Sequence, residues 1–325
     1  MPDVDGLLKA SSDLLGVFIS HAHPDHYGLL DQVAKTTKVF IGEAAKNIIQ
    51  VSDFFTPLPS LGDVETNPLI ANEPVQVGPF KLTPIPIDHS AFGSFCFLIE
   101  VDGKRIFYSG DMRAHGRQSH LFDDLVSDPP SDIDVLICEG TQVGRDPDFA
   151  FPGEKSVEDA IVEQLEETNG IGLVWCSSQN VDRVISAYEA AKRTERDLIL
   201  DVYTAEVLRA SGSSDVPSPE ANDVHVFLPR SQKSRIIREK RFDIPKPYYP
   251  SRIYPEKLAE VASKSVMIFR PSMLRELEKA NCLANSICIS SLWAGYLKRD
   301  PEFPQEDQVA RDRTQAYPYI RPCNR

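Results

Sequence analysis

The run Ser20-His21-Ala22-His23-Pro24-Asp25-His26 places four metal-binding side chains within six positions, directly after the apolar stretch Val17-Phe18-Ile19. On an extended backbone, residues two apart point to the same side, so His21 and His23 can share one ion. Asp25 and His26 follow where the pattern turns helical, from Tyr27 to Lys35, and so address a neighbouring position. Imidazoles with a carboxylate form a ligand set that zinc accepts, and bound zinc lowers the pKa of water to about 7. A loop merely rich in histidine is the competing explanation, yet three of the seven histidines sit in this one run. The chemistry to expect is hydrolysis at a pair of metal ions.

The elements that must hold these groups alternate between strands and helices. Strand-like runs fall at Lys38 to Ile41, Phe80 to Ile87, Phe95 to Val101, Arg105 to Ser109, Val135 to Cys138, Gly172 to Cys176, Leu198 to Val202, Val266 to Phe269 and Ser286 to Ser290. Helical patterns fall at Ala44 to Asp53, Val157 to Thr168, with Ser156 as its expected N-cap, and Val181 to Arg193. Short strands separated by helices of this length predict layered α/β structure. The turn-forming residues Asp146-Pro147-Asp148 and Phe151-Pro152-Gly153 suggest a boundary, giving expected domains of 1–150 and 151–297, with an atypical tail over 298–325.

The histidine run resembles the HxHxDH signature of the metallo-β-lactamase superfamily. Two later segments match that family in order: Ile87-Asp88-His89-Ser90, and Ile106-Phe107-Tyr108-Ser109-Gly110-Asp111. Asp134 to Thr141, and Val174 to Arg183 with its following helix and strand, narrow the likeness to the β-CASP branch that contains ribonuclease J. The resemblance implies an αββα sandwich, here expected to be incomplete, followed by a β-CASP-like α/β cap. It implies that His21, His23 and His89 hold one ion, that Asp25 and His26 hold a second, and that Asp111 bridges them. Asp25 would orient the attacking water, with Glu139 and His115 as further catalytic candidates. Arg113, Ser178 and Asn180 are candidate substrate contacts, although helix capping also accounts for Ser178 and Asn180, and a solvent-facing role for Arg113 and His115. Two divalent ions are expected, zinc first, with manganese and iron as the ions that similar ligands accept.

Both ends depart from that family. Only twenty residues precede His21, so the first strands of such a sandwich are expected to be missing, and no histidine follows His225 to serve as the last ligand of the second ion. One permitted back-translation of Tyr317 to Arg325, read one base later, encodes Thr-His-Thr-Ser-Gly-His-Ala-Thr, which contains the absent motif. A frameshift after Leu297 is therefore the expected origin of the tail, with a polar natural tail as the alternative.

Length and composition set outer limits. A chain of 325 residues with 42% hydrophobic content can bury a large core, and that apolar content permits a homodimer. No apolar run approaches the roughly 18 residues that cross a membrane, so the chain is expected to be cytoplasmic. Cys96, Cys138, Cys176, Cys282, Cys288 and Cys323 form no Cys-x-x-Cys pair and are expected to be reduced. A net charge of −13 argues against a broad nucleic-acid-binding surface but leaves a local cleft open. The one basic stretch, Arg230 to Arg241, reads as a solvated helix face or as a guide for RNA. The leading expectation is a metal-dependent phosphodiesterase of the ribonuclease J type acting on RNA. A lactonase or thioesterase on the same fold and an inactive truncated copy are the alternatives.

Overall fold

Val17–Ile19 (β1), Val39–Gly42 (β2) and Thr66–Leu69 (β3) form a parallel sheet in the order β1-β2-β3. This is seen in the computed structural model, which describes residues 13–141, 143–144 and 152–292. Parallel neighbours need a crossover. The chain crosses from β1 to β2 through the short helix α1 (Pro24–Tyr27), and from β2 to β3 through α2 (Glu43–Phe55). The second sheet takes the order β4-β5-β6-β7-β8, from Val75–Val77, Phe80–Pro86, Phe95–Val101, Lys104–Tyr108 and Val135–Ile137. Its first four strands are antiparallel, and β8 runs parallel to β7.

Period-two alternation in β6 gives that strand two buried faces. Phe95 and Phe97 cluster with Phe18, Phe40 and Leu69 of the first sheet, where the Phe18 and Phe40 rings stack at 4.4 Å. Cys96 and Leu98 face the other way, toward Phe122 and Leu125 of α3 (His120–Ser127). On the far side of the first sheet, α2 buries Ala45, Ile48 and Ile49 and packs on β2. Two helical layers thus enclose two sheets, which is the αββα arrangement expected. One strand breaks the pattern. Val135, Leu136 and Ile137 of β8, at the sheet edge, remain 48%, 63% and 51% exposed.

The described residues divide into two compact units, one of those up to Gly144 together with Ala210–Gly212, the other of the remaining described residues. The second unit is a wholly parallel sheet in the order β12-β11-β10-β13-β9-β14. Its strands are Gly172–Trp175 (β9), Asp197–Asp201 (β10), Val224–Phe227 (β11), Arg252–Ile253 (β12), Ser265–Ile268 (β13) and Ile287–Ser290 (β14). Helices α4 (Glu154–Glu166), α5 (Val181–Arg193), α6 (Val202–Ser211), α7 (Arg230–Arg238), α8 (Leu258–Val261) and α9 (Leu274–Lys279) connect them. Strands buried on both faces read as continuous apolar runs, and Leu198, Ile199 and Leu200 fit that rule.

Several expectations change. The helical pattern placed at Tyr27 to Lys35 begins earlier, with Pro24 at the first helical position, and gives way to a short 3-10 turn at Leu30–Gln32. Asp25 and His26 therefore lie inside the first helical turn. Ser156 is not an N-cap: α4 starts two residues before it, and the Ser156 hydroxyl donates back to the Gly153 carbonyl at 2.7 Å. The basic stretch forms α7, where only Ile236 is buried, while Arg238 pairs with Glu239 and Arg241 with Asp243, both at 2.9 Å. Cys96, Cys138, Cys176, Cys282 and Cys288 are free thiols, and burial pushes Cys96 and Cys288 up to about 12 and Cys176 and Cys282 up to about 11. Among the described residues no helix is long and apolar enough to cross a membrane. The expected boundary at residue 150, the end at Leu297, the tail over 298–325 and Cys323 lie outside the described residues.

Candidate metal centre

The loop after β1 is pinned across the two sheets, because Phe95 N–H at the start of β6 donates to the Ser20 carbonyl at 3.0 Å. That contact sets His21 and His23 at one end of the sandwich. The Ser20 hydroxyl lies 3.0 Å from His21 Nδ1, so His21 turns Nε2 inward, 3.9 Å from Asp111 Oδ2. His23 does the reverse. Its Nε2 lies 3.5 Å from the Ser90 hydroxyl, and its Nδ1 lies 3.0 Å from His89 Nε2. His89 comes from the segment after β5, and its Nε2 is 3.8 Å from Asp111 Oδ2. Asp111 leaves the end of β7 through Gly110, whose φ of +55° and approach to the Phe95 carbonyl, 3.0 Å from where a Cβ would sit, require glycine.

The ligand atoms of His21, His23, His89 and Asp111 all lie within 4.8 Å of one another. Tetrahedral zinc with bonds of about 2.0–2.1 Å spaces its ligand atoms about 3.3–3.4 Å apart. The observed separations of 3.0, 3.8 and 3.9 Å straddle that edge length, so these donors fit one ion with small side-chain movement. Three imidazoles and a carboxylate also match the ion chemically.

His26 meets the other carboxylate oxygen, with its Nε2 3.3 Å from Asp111 Oδ1. Burial acts to lower the His26 imidazole, but the hydrogen bond and charge of Asp111, with the charges of Asp25 and Glu139, outweigh it and raise it above its ordinary value. Asp111 is held below the usual carboxylate range, first by that hydrogen bond and then, against the opposing effect of burial, by the charges of the surrounding imidazoles. Asp25 Oδ2 stands 3.8 Å from His26 Nε2, with its side chain 64% exposed. Asp111 therefore presents one oxygen to the three-histidine cluster and one to the Asp25 and His26 side.

The remaining candidates fall into different places. Glu139 is bound to the backbone: its Oε1 accepts from Met112 N–H at 2.6 Å, its Oε2 accepts from the Thr141 hydroxyl, and its own N–H donates to the Ser109 hydroxyl at 3.1 Å. Arg113 is buried against Asp88, at 3.2 Å from Nε to Oδ1, and does not offer its guanidinium to solvent as a substrate contact should. His115, half-buried, lies two residues further along the same loop. In the second unit, Asn180 is the N-cap of α5, its Oδ1 accepting from Arg183 N–H at 3.2 Å. Ser178 is buried, 2.7 Å from the Thr204 hydroxyl, and accepts from Arg270, which also pairs with Asp201. Asp88 is the residue that spacing alone passes over. Its signal in sequence was an acidic residue immediately before a ligand histidine.

A sequence profile of the beta-lactamase superfamily domain matches residues 4–169, just over half of the chain. Ribonuclease J of Sinorhizobium meliloti is 23% identical over 206 residues, covering 62% of this chain and 36% of that protein. Ribonuclease J of Mycoplasma pneumoniae is 23% identical over 245 residues, covering 71% of this chain and 42% of that protein. The chain thus spans about four-tenths of the length of these curated relatives. Among solved structures, a protein of unknown function from Enterococcus faecalis V583 superposes with a TM-score of 0.65 at 20% identity, covering 85% of this chain and 62% of that one. That likeness establishes the fold.

Proposed function

The chain belongs to the beta-lactamase superfamily, and from that premise we propose that it is a metal-dependent hydrolase, specifically a phosphodiesterase of the ribonuclease J type acting on RNA. The observation that carries the reading is the convergence of His21, His23, His89 and Asp111, with His26 on the second oxygen of Asp111. In this reading the three histidines would hold one divalent ion and Asp25 and His26 a second, with one oxygen of Asp111 facing each group. Bound ions, zinc by choice of ligands, supply Lewis acidity that acidifies water and polarises a phosphoryl oxygen.

The protein's own groups do the rest. Asp25, open to solvent beside His26, orients the attacking water and takes its proton. Glu139 acts on the backbone next to Asp111 and has no need to touch substrate. The RNA substrate is supported by the ribonuclease J similarity, whose 206 residues are too many to lie within a first unit that ends at Gly144. In this reading the second unit is the β-CASP-like domain and would contribute to holding a single strand. A small-molecule ester is the second reading. The net charge of −13 and the pairing of Arg113 with Asp88 favour an uncharged substrate.

The test uses the 325-residue chain loaded with zinc or manganese. Cleavage of a labelled single-stranded RNA, abolished in His23→Ala, supports the phosphodiesterase. Hydrolysis confined to lactones or thioesters favours the ester reading, and no hydrolysis of either class by a metal-loaded chain overturns both.

A further inference from the structure

The chain leaves β7 through Gly110 and carries Asp111 on a loop that runs to Gly116, and this loop is fastened to the segment that carries His89. Arg113 N–H donates to the Asp88 carbonyl at 2.9 Å, and Arg113 Nε–H donates to Asp88 Oδ1 at 3.2 Å. Gly116 N–H donates to Asp88 Oδ2 at 2.7 Å. One carboxylate, adjacent in sequence to His89, therefore grips the Asp111 loop with both of its oxygens. From the other side Glu139 Oε1 holds Met112 N–H at 2.6 Å.

The clasp is buried and tight. The Asp88 and Arg113 side chains are 1% and 4% exposed. A Cβ at position 116 would lie 2.3 Å from Asp88 Oδ1 and 2.3 Å from the terminal guanidinium nitrogen of Arg113, so the carboxylate can meet this N–H only because residue 116 is glycine. A buried ion pair adds little net stability, since desolvating two charges offsets their attraction, and an apolar pair of similar volume often serves as well. What an apolar pair cannot do is join one backbone segment to another through two oxygens at fixed spacing. Asp88 and Arg113 are not among the clustered donor atoms, yet the segments they join carry His89 and Asp111.

We propose that Asp88, with Arg113 and Gly116, is the positioning device of the metal centre. It is a non-ligating carboxylate that fixes the distance between His89 and Asp111 before any ion arrives. The inference rests on the metal-centre reading above and deepens it. Outer groups that orient ligands typically change metal affinity by about 10- to 100-fold when removed.

The experiment measures cobalt(II) uptake by the full chain, through competition with a chromogenic chelator and through the visible absorption spectrum of the bound ion. Asp88→Asn keeps the shape but removes the charge that draws both donors. Gly116→Ala keeps every charge and forces the clasp open. The expected result is a roughly 10- to 100-fold loss of affinity per folded chain and an altered cobalt spectrum in both variants, with far-UV circular dichroism unchanged. The fold is retained at a lower metal-free melting temperature, since each variant disturbs a buried ion pair, and the loss of affinity in Arg113→Lys is smaller. Wild-type affinity and spectrum in Asp88→Asn and Gly116→Ala would overturn the inference while leaving the metal centre intact. Loss of the metal-free fold in both would also overturn it, by making the clasp a folding element. If the wild type itself takes up no cobalt, the metal-centre reading falls and takes the clasp's role with it.

Discussion

Each unit gathers polar side chains at the ends of its strands, and the two gatherings differ in kind. In the first, the cluster of His21, His23, His89 and Asp111 consists of groups that all offer lone pairs to a common point. In the second, the groups are of opposite sign and close on one another. Arg270 pairs with Asp201 and donates to Ser178, while Arg183 meets both oxygens of Glu154 at 3.1 and 3.2 Å, with the Ser186 hydroxyl on the same carboxylate at 3.0 Å. A self-neutralising cluster has no chemical need for a ligand. A cluster of donors without an internal cation has one, and this separates a site from a structural lock better than residue type or burial does.

Breaking a lock of the second unit should therefore cost stability and leave metal uptake alone. Arg183→Met strands the Glu154 carboxylate in a site where both side chains are 1% exposed, and an orphaned buried charge costs about 3–5 kcal/mol. Urea unfolding should show that loss while zinc bound per folded chain stays at the wild-type value; a fall in bound zinc would dissolve the contrast. Filling the first cluster should do the opposite. Zinc at about 100 times its Kd stabilises the folded chain by about 2.7 kcal/mol, seen as a melting temperature that rises with zinc and returns on chelation, and an unmoved melting temperature would count against the centre. The smallest effect belongs to Asn180→Ala. Losing the N-cap of α5 costs about 1 kcal/mol, and if the chain cleaves RNA as proposed, its KM should be unchanged, whereas a raised KM at unchanged stability would make Asn180 a substrate contact.

The clustering of His21, His23, His89 and Asp111 was largely legible in sequence because these side chains lie beside the strands that aim them: two histidines on one extended run, His89 after β5 and Asp111 after β7. The strands with alternating or continuous apolar runs, such as β6 and β10, were legible for the same reason. What escaped depends on contacts far apart in the chain. The Asp88 carboxylate takes its meaning from Arg113 and Gly116, 25 and 28 positions away, and Glu139 from Met112, 27 positions away. β3 was missed because Asn67 and Pro68 break the strand signature, although the segment pairs parallel with β2. α6 was partly read as strand because β10 passes into it at Val202 with no turn residue between.

The three histidines of the cluster are not equivalent, since His21 and His89 turn Nε2 inward while His23 turns Nδ1. In side-chain geometry the amide of asparagine hangs where Nδ1 does, and the amide of glutamine reaches to where Nε2 does. Each position thus has its own isostere: glutamine for His21 and His89, asparagine for His23. The swapped amides put their oxygen a bond length too near or too far. An inventory of ligands treats the three imidazoles alike, but as replaceable parts they come in two sizes.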